Sequence, residues 1–270
     1  MTGATGQVLA SKLVEKPWGC DTLPAPFTAP AGGRIGEIWF EPPPELDALL
    51  AKYLFTSEAL SVQVHPDNAS APEGTRGKEE CWLVLDAEPD ARLAIGFRRA
   101  VSADELRAAA KDGTIEDLLA WHRVARGDFF YLPAGTVHAI GAGLTIAELQ
   151  QNSDVTYRLY DYGRPRALHL DAALEVAHRG VYRDARQRRV APDEAVMLVD
   201  GPHFRLVQVV GKPDAATYAD FDKPLMILPL SGDVTIGMDS IAAGGCGWAQ
   251  SLDAVRFGAG TRALLLSAYG

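Results

Sequence analysis

The chain has 270 residues, 47% of them hydrophobic, and a formal charge of −9, which suits one large or two small folded domains and argues against nucleic acid as the main partner. No stretch reaches about 18 uncharged apolar residues, and "MTGATGQVLASKLVEKPWG" lacks the basic start and apolar block of a signal peptide, so no membrane span is expected and a cytoplasmic location is. Cys20, Cys81 and Cys246 are too few and too scattered for a disulfide framework or a thiolate zinc site. Any metal must therefore use nitrogen and oxygen ligands, and an anionic substrate would need a local basic pocket.

From about residue 34 the chain reads as short strands broken by Gly, Pro and Asp: "RIGEIWF", "ALSVQVHP", "ECWLVLD", "ARLAIGF", "DFFYLP" and "TIAELQ". Between Ser102 and Arg126 the period becomes helical. Ser102 and Glu105 form a capping box, and Ile115, Leu118, Leu119 and His122 recur at helical spacing, so two short helices interrupt the strands. A further helix is expected over residues 171–180. The following "RGVYRDARQRRVAPDE" holds five arginines and reads as a solvated connector, with anion binding as the alternative. A domain boundary is placed there, giving a first unit of residues 1–180 and a smaller unit of 181–270. The latter consists again of short strands with Gly-rich turns, and its one histidine is His203.

Several strands carry more polar residues than a packed sheet needs. In "SVQVHPDN" side chains alternate, so Ser61, Gln63 and His65 share one face and Val62 and Val64 the other. The polar face looks at solvent if the valines enter the sandwich core, and at a cavity if the strand lines a barrel mouth. In "GKEECWLVL" Lys78 and Glu80 share a face, opposite Glu79 and Cys81. Glu148 and Gln150 do so in "IAELQQNSDVTYRLYDYGR", with Asp154 and Arg158 following. Two histidines, a carboxylate and an amide from separate places would suit a hard or borderline divalent ion, and these ligand types fit Zn²⁺, Fe(II) or Mn(II).

"GDFFYLPAGTVH" fits G-x5-P-x-G-x2-H at Gly127, Pro133, Gly135 and His138, the second motif of the cupins. Together with "LSVQVHPD", "GKEECW", "GTVHAIGAG" and "QNSDVTYRLYDYGR", in that family's order over residues 14–170, it resembles the type I mannose-6-phosphate isomerases, short bacterial branch. The resemblance implies an all-β fold with small helical insertions: a cupin jelly roll followed by a second, degenerate cupin-like β-domain without a metal site. It implies one Zn²⁺ per chain on Gln63, His65, Glu80 and His138, and it places Lys78, Glu148, Asp154 and Arg158 in the active cavity, Arg158 in a catalytic role. Trp18 and Glu37 match positions near the site. Ser61 and Arg164 match places associated with the substrate phosphate, with Arg166 a nearby substitute. The chain departs from the family in its shorter length, in "KPWGC", and in a C-terminal half with little family wording.

The implied reaction interconverts mannose 6-phosphate and fructose 6-phosphate through a cis-enediol(ate). Zinc would stabilise the developing oxyanion as a Lewis acid. Lys78, its pKa pulled down by Zn²⁺ and Arg158, is the expected proton carrier, with Asp154, Glu148 and a zinc-bound hydroxide as rivals. The expected partner is thus a small sugar phosphate, and the absence of a heptad or long apolar stripe suggests a monomer. Two other classes fit part of the pattern. An Fe(II) cupin oxygenase would use His65, Glu80 and His138 and would be separated by metal analysis and oxygen consumption. A non-catalytic sugar-phosphate-binding cupin would show no turnover.

Overall fold

The computed structural model describes residues 6–269. A seven-stranded sheet runs in the order Arg188–Arg189, Asp128–Leu132, Glu80–Ala87, Leu144–Gln151, Leu49–Thr56, Ile35–Phe40, Ser11–Cys20. A five-stranded sheet of Tyr157–Tyr160, Val62–Val64, His138–Ile140, Arg92–Phe97 and Leu119–Arg123 faces it. Their facing sides meet in one apolar cluster that includes Trp82, Val84 and Ile146 from the first sheet and Leu93, Ile95 and Ile140 from the second. This is the all-β jelly-roll sandwich expected from the sequence, with open sheets rather than a closed barrel.

The seven-stranded sheet is buried on both sides, which explains why every residue of Leu49–Thr56 is buried. Leu54 points between the two sheets. Ala51, Tyr53 and Phe55 point outward, into a cluster shared with Phe204, Leu206, Met226 and Leu264 of the C-terminal half. That half forms a second sheet system. Its six-stranded sheet takes Gly6–Val8 from the start of the chain as an edge strand against Gly247–Ala249. Its α-helix Ala215–Asp220 starts at Asp214, whose carboxylate accepts from the Thr217 amide.

The helical insertion consists of Ala103–Asp112 and Ile115–Leu118. Ser102 caps the first helix by accepting from Glu105 N–H at 3.1 Å, whereas the Glu105 carboxylate goes to Arg99, so one arm of the capping box forms. Helical spacing extended this region too far. Leu119 and His122 lie on the strand Leu119–Arg123, paired with Arg92–Phe97. Strand pairing and the stacking of Arg92 on Trp121, 4.2 Å from the ring centroid, outweigh the local period there. The later helix is Leu170–Val176, shorter than the 171–180 expected. Arginines of the connector are committed to carboxylates. Arg186 pairs with Asp184 and stacks on Tyr131, Arg188 pairs with Glu194, and Arg189 pairs with Asp128.

The turn before His138 shows why that segment carries glycine. Gly135 has φ +82°, and a Cβ there would lie 2.8 Å from the Val176 carbonyl oxygen and 3.1 Å from the His178 ring. Gly135→Ala is therefore expected to cost at least about 1–2 kcal/mol for the left-handed backbone alone, read as a lowered thermal midpoint; an unchanged midpoint would contradict this account of the turn.

Candidate active site

Between the sheets, His65, Glu80 and His138 converge with one ligand atom of each within 4.8 Å of the others, and all three are buried. The alternation read from "SVQVHP" places them: Val62 and Val64 pack against the helices behind the five-stranded sheet, which turns Gln63 and His65 inward. His138 is the register partner of Gln63. Glu80 enters from the opposite sheet, while Glu79 points the other way, accepting from the Tyr131 hydroxyl and lying 3.7 Å from His203.

Backbone carbonyls orient both imidazoles. His65 Nδ1–H donates to the Val155 carbonyl at 2.8 Å and His138 Nδ1–H to that of Thr136 at 2.9 Å, leaving each Nε2 lone pair turned inward. These nitrogens lie 3.7 and 3.4 Å from Glu80 Oε1. That oxygen is buried without a hydrogen-bond partner. Burial, then the charge of Lys78, pushes His65 well below the ordinary histidine range; burial also lowers His138 against the pull of Glu80. Burial opposes ionisation of Glu80, but Lys78 and His138 outweigh it and lower its pKa. Two neutral imidazole lone pairs and an ionised carboxylate with a free oxygen fit a borderline divalent cation. Gln63 is adjacent, its amide nitrogen 3.2 Å from His138 Nε2 and its oxygen accepting from Ser61 Oγ at 2.9 Å. To offer its oxygen to a cation, the amide must turn over.

A cavity of ≈ 300 Å³ opens directly in front of Gln63 and Lys78. Its walls carry Trp18, Glu37, Ser61, Glu148, Asp154, Arg158 and Arg166. Every candidate residue named from the sequence is thus in the metal cluster or on this wall except Arg164. Arg164 is bound instead to Asp161, Glu58 and the Ala59 carbonyl, and Arg166 faces the cavity. Five cationic side chains, Lys16, Lys52, Lys78, Arg158 and Arg166, stand against Glu37, Glu148 and Asp154. The wall thus carries a local excess of positive side chains on a protein of formal charge −9.

Sequence reading missed Lys52, His169, Lys16 and Trp39. Lys52 is buried with its Nζ 3.3 Å from Glu148 Oε1 and 4.4 Å from the Trp39 ring centroid. A lone lysine inside the apolar strand "LLAKYLFT" was the available signal. Glu148 also accepts from Trp82 Nε1 at 3.1 Å and lies 3.7 Å from Lys78. Lys78 reaches Glu80 Oε2 at 2.5 Å and His65 Nε2 at 3.2 Å. Among the protein's own groups burial pulls Lys78 down, yet the charges of Glu148 and Glu80 outweigh this and raise it. Lys52 is the lysine that burial lowers, against the attraction of Glu148.

Two inward histidines and a carboxylate between the sheets of a jelly roll define a cupin with a candidate metal centre. No family model matches the chain. It is 39% identical over 208 residues to a mannose-6-phosphate isomerase of Streptococcus mutans, covering 72% of this chain and 65% of that protein. It is 46% identical over 137 residues to a Bacillus subtilis mannose-6-phosphate isomerase, covering 47% and 43%. The aligned region thus spans less than two thirds of either relative. Among solved structures, a mannose 6-phosphate isomerase from Bacillus subtilis superposes with TM-score 0.78 at 25% identity over 97% of this chain and 99% of that one. A zinc-bound mannose 6-phosphate isomerase shares the fold, with TM-score 0.69 at 14% identity, 97% and 99% covered. In sequence and in fold the chain is thus similar to mannose-6-phosphate isomerases, and it has the cupin fold of their solved members. Among the described residues, no helix is long and apolar enough to cross a membrane.

Proposed function

We propose that the protein is a zinc-dependent isomerase that interconverts mannose 6-phosphate and fructose 6-phosphate through a cis-enediol(ate), with residues 1–180 as its catalytic unit. The observation that carries this reading is the unpartnered Glu80 Oε1, facing two oriented histidine lone pairs directly behind a basic cavity. Gln63, His65, Glu80 and His138 would hold the zinc, which supplies Lewis-acid stabilisation of the oxyanion and keeps the two sugar oxygens cis.

The remaining work falls to the protein's own side chains. A proton must leave the carbon beside a carbonyl and return to its neighbour. Glu148 is the base we assign: its Oε2 is fixed by Trp82, and its Oε1 stands between Lys52 and Lys78. Lys78, on the cavity wall between Glu80 and Glu148, is placed to donate to a substrate oxygen. Arg158, on the cavity wall beside Arg166, would steady enediolate charge with its permanently charged plane. Asp154 is available to sugar hydroxyls, and Arg166 and Ser61 to the phosphate, whose binding energy is gained away from the reacting carbons.

A coupled assay tests the reading. Mannose 6-phosphate should give fructose 6-phosphate without oxygen uptake, and the rate should vanish on chelation. Oxygen consumption, or turnover untouched by chelation in protein shown to be metal-depleted, would overturn it.

A further inference from the structure

Of the two arginines on the cavity wall, Arg166 is held by a row of charges. Arg166 donates from Nε to Asp161 Oδ2 and from Nη2 to Asp161 Oδ1, each at 2.6 Å. The same carboxylate accepts from Arg164 Nη1 at 3.1 Å. Asp161 is 2% exposed, so one enclosed carboxylate holds two guanidinium groups. Arg164 is fastened from the other side as well, its Nη2 donating to Glu58 Oε2 at 3.1 Å and to the Ala59 carbonyl at 2.8 Å. Glu58 in turn accepts from Arg34 at 2.9 Å. Charges therefore alternate from the surface inward, Arg34, Glu58, Arg164, Asp161, Arg166, and the row ends at the cavity wall.

The backbone is built around this carboxylate. Tyr162 has φ +55° and Gly163 φ +77°, and Tyr162 has the one positive φ outside glycine among the described residues. Two successive left-handed residues reverse the chain immediately after Asp161, so that the Arg164 amide donates back to the Asp161 carbonyl at 3.0 Å. A tyrosine in this conformation costs about 1–2 kcal/mol, offset here by the ion pairs that the reversal makes possible.

Bidentate pairing through Nε and Nη2 consumes one edge of the Arg166 plane. The opposite edge, Nη1 and the second Nη2 proton, has no protein partner among the described residues and belongs to a side chain on the cavity wall. That edge matches two oxygens of a phosphate. Arg164, with both Nη2 protons and one on Nη1 committed, has no such edge left.

We propose that Asp161 is a positioning residue for phosphate recognition: it mounts Arg166 with one edge toward the cavity and uses Arg164 as a brace. This rests on the functional reading above. Its effect passes through Arg166 and not through the metal cluster or the reacting carbons.

The test is Asp161→Asn in the full chain loaded with zinc. An amide of the same shape cannot accept from both guanidinium groups as a carboxylate does, so Arg166 loses its fixed plane. KM for mannose 6-phosphate should rise about tenfold or more, the scale of one lost charge-assisted contact, with kcat within about twofold and zinc content unchanged. The inhibition constant of inorganic phosphate should rise in parallel. In an Arg166→Ala background the same substitution should add almost nothing to KM. Unchanged KM and phosphate inhibition, a fall in kcat at constant KM, or a full additional effect without Arg166 would each overturn the proposal. Should Asp161→Asn fail to fold, Asp161→Glu keeps the charge but shifts the mount by one methylene, and it should raise KM; wild-type KM would overturn the proposal. If the wild-type chain turns over no sugar phosphate, the functional reading fails separately. Calorimetric binding of inorganic phosphate then still tests Asp161, since equal affinity in wild type and Asp161→Asn would reject it.

Discussion

His138→Ala is expected to lose bound metal and isomerase activity together, each by more than about 100-fold, since even the outer hydrogen-bond partners of a metal ligand typically cost 10–100-fold. The imidazole is buried between Trp82 and Gln63, and its Nδ1 proton is committed to the Thr136 carbonyl. Alanine would leave Glu80 and His65 facing an apolar gap, with Lys78 the remaining charged partner of Glu80. Metal content after exhaustive dialysis, measured with turnover on the same sample, checks this. Retention of both would remove His138 from the site.

Glu148→Gln is expected to lower kcat by about 10²–10⁴-fold, the range for a positioned general base, while KM changes little. The amide keeps the shape and can still accept from Trp82 Nε1, so packing is conserved and the charge is lost. Lys52 then loses its carboxylate partner at 3.3 Å, whereas Lys78 keeps Glu80 at 2.5 Å. The metal should stay bound. A variant with wild-type kcat and normal zinc content would transfer the base to Asp154 or Lys52. Steady-state kinetics with a metal assay distinguish these outcomes.

The candidate metal cluster of His65, Glu80 and His138 was legible in the sequence because each residue sits in a strand or just after a tight turn, where spacing fixes direction. Period-two alternation turns Gln63 and His65 away from Val62 and Val64, and it sets Glu80 opposite Glu79. Gly135, with its positive φ, marks the turn before His138. The phosphate side was less legible. Arg164 and Arg166 lie in a loop reversed by two left-handed residues, where alternation gives no direction, so Arg164 was expected in the cavity and Arg166 is the one that reaches it. Lys52 was hidden by its context: in a strand buried on both faces every neighbour is apolar, and the lysine is explained only when Glu148 appears across the sheet at register. The pairing of Gly6–Val8 with Gly247–Ala249 joins the two ends of the chain. No local pattern can announce a partner so distant in sequence. His122 shows the converse, a local helical spacing overruled by strand pairing with Arg92–Phe97.

In the function proposed, one metal ion on this cluster enables isomerisation in the cavity beside it. Zinc titration of chelated protein, with fructose 6-phosphate formation followed at each point, tests it most directly. Activity should rise in proportion to zinc and level off at one ion per chain. One tightly held zinc per chain with no conversion of mannose 6-phosphate would contradict the account.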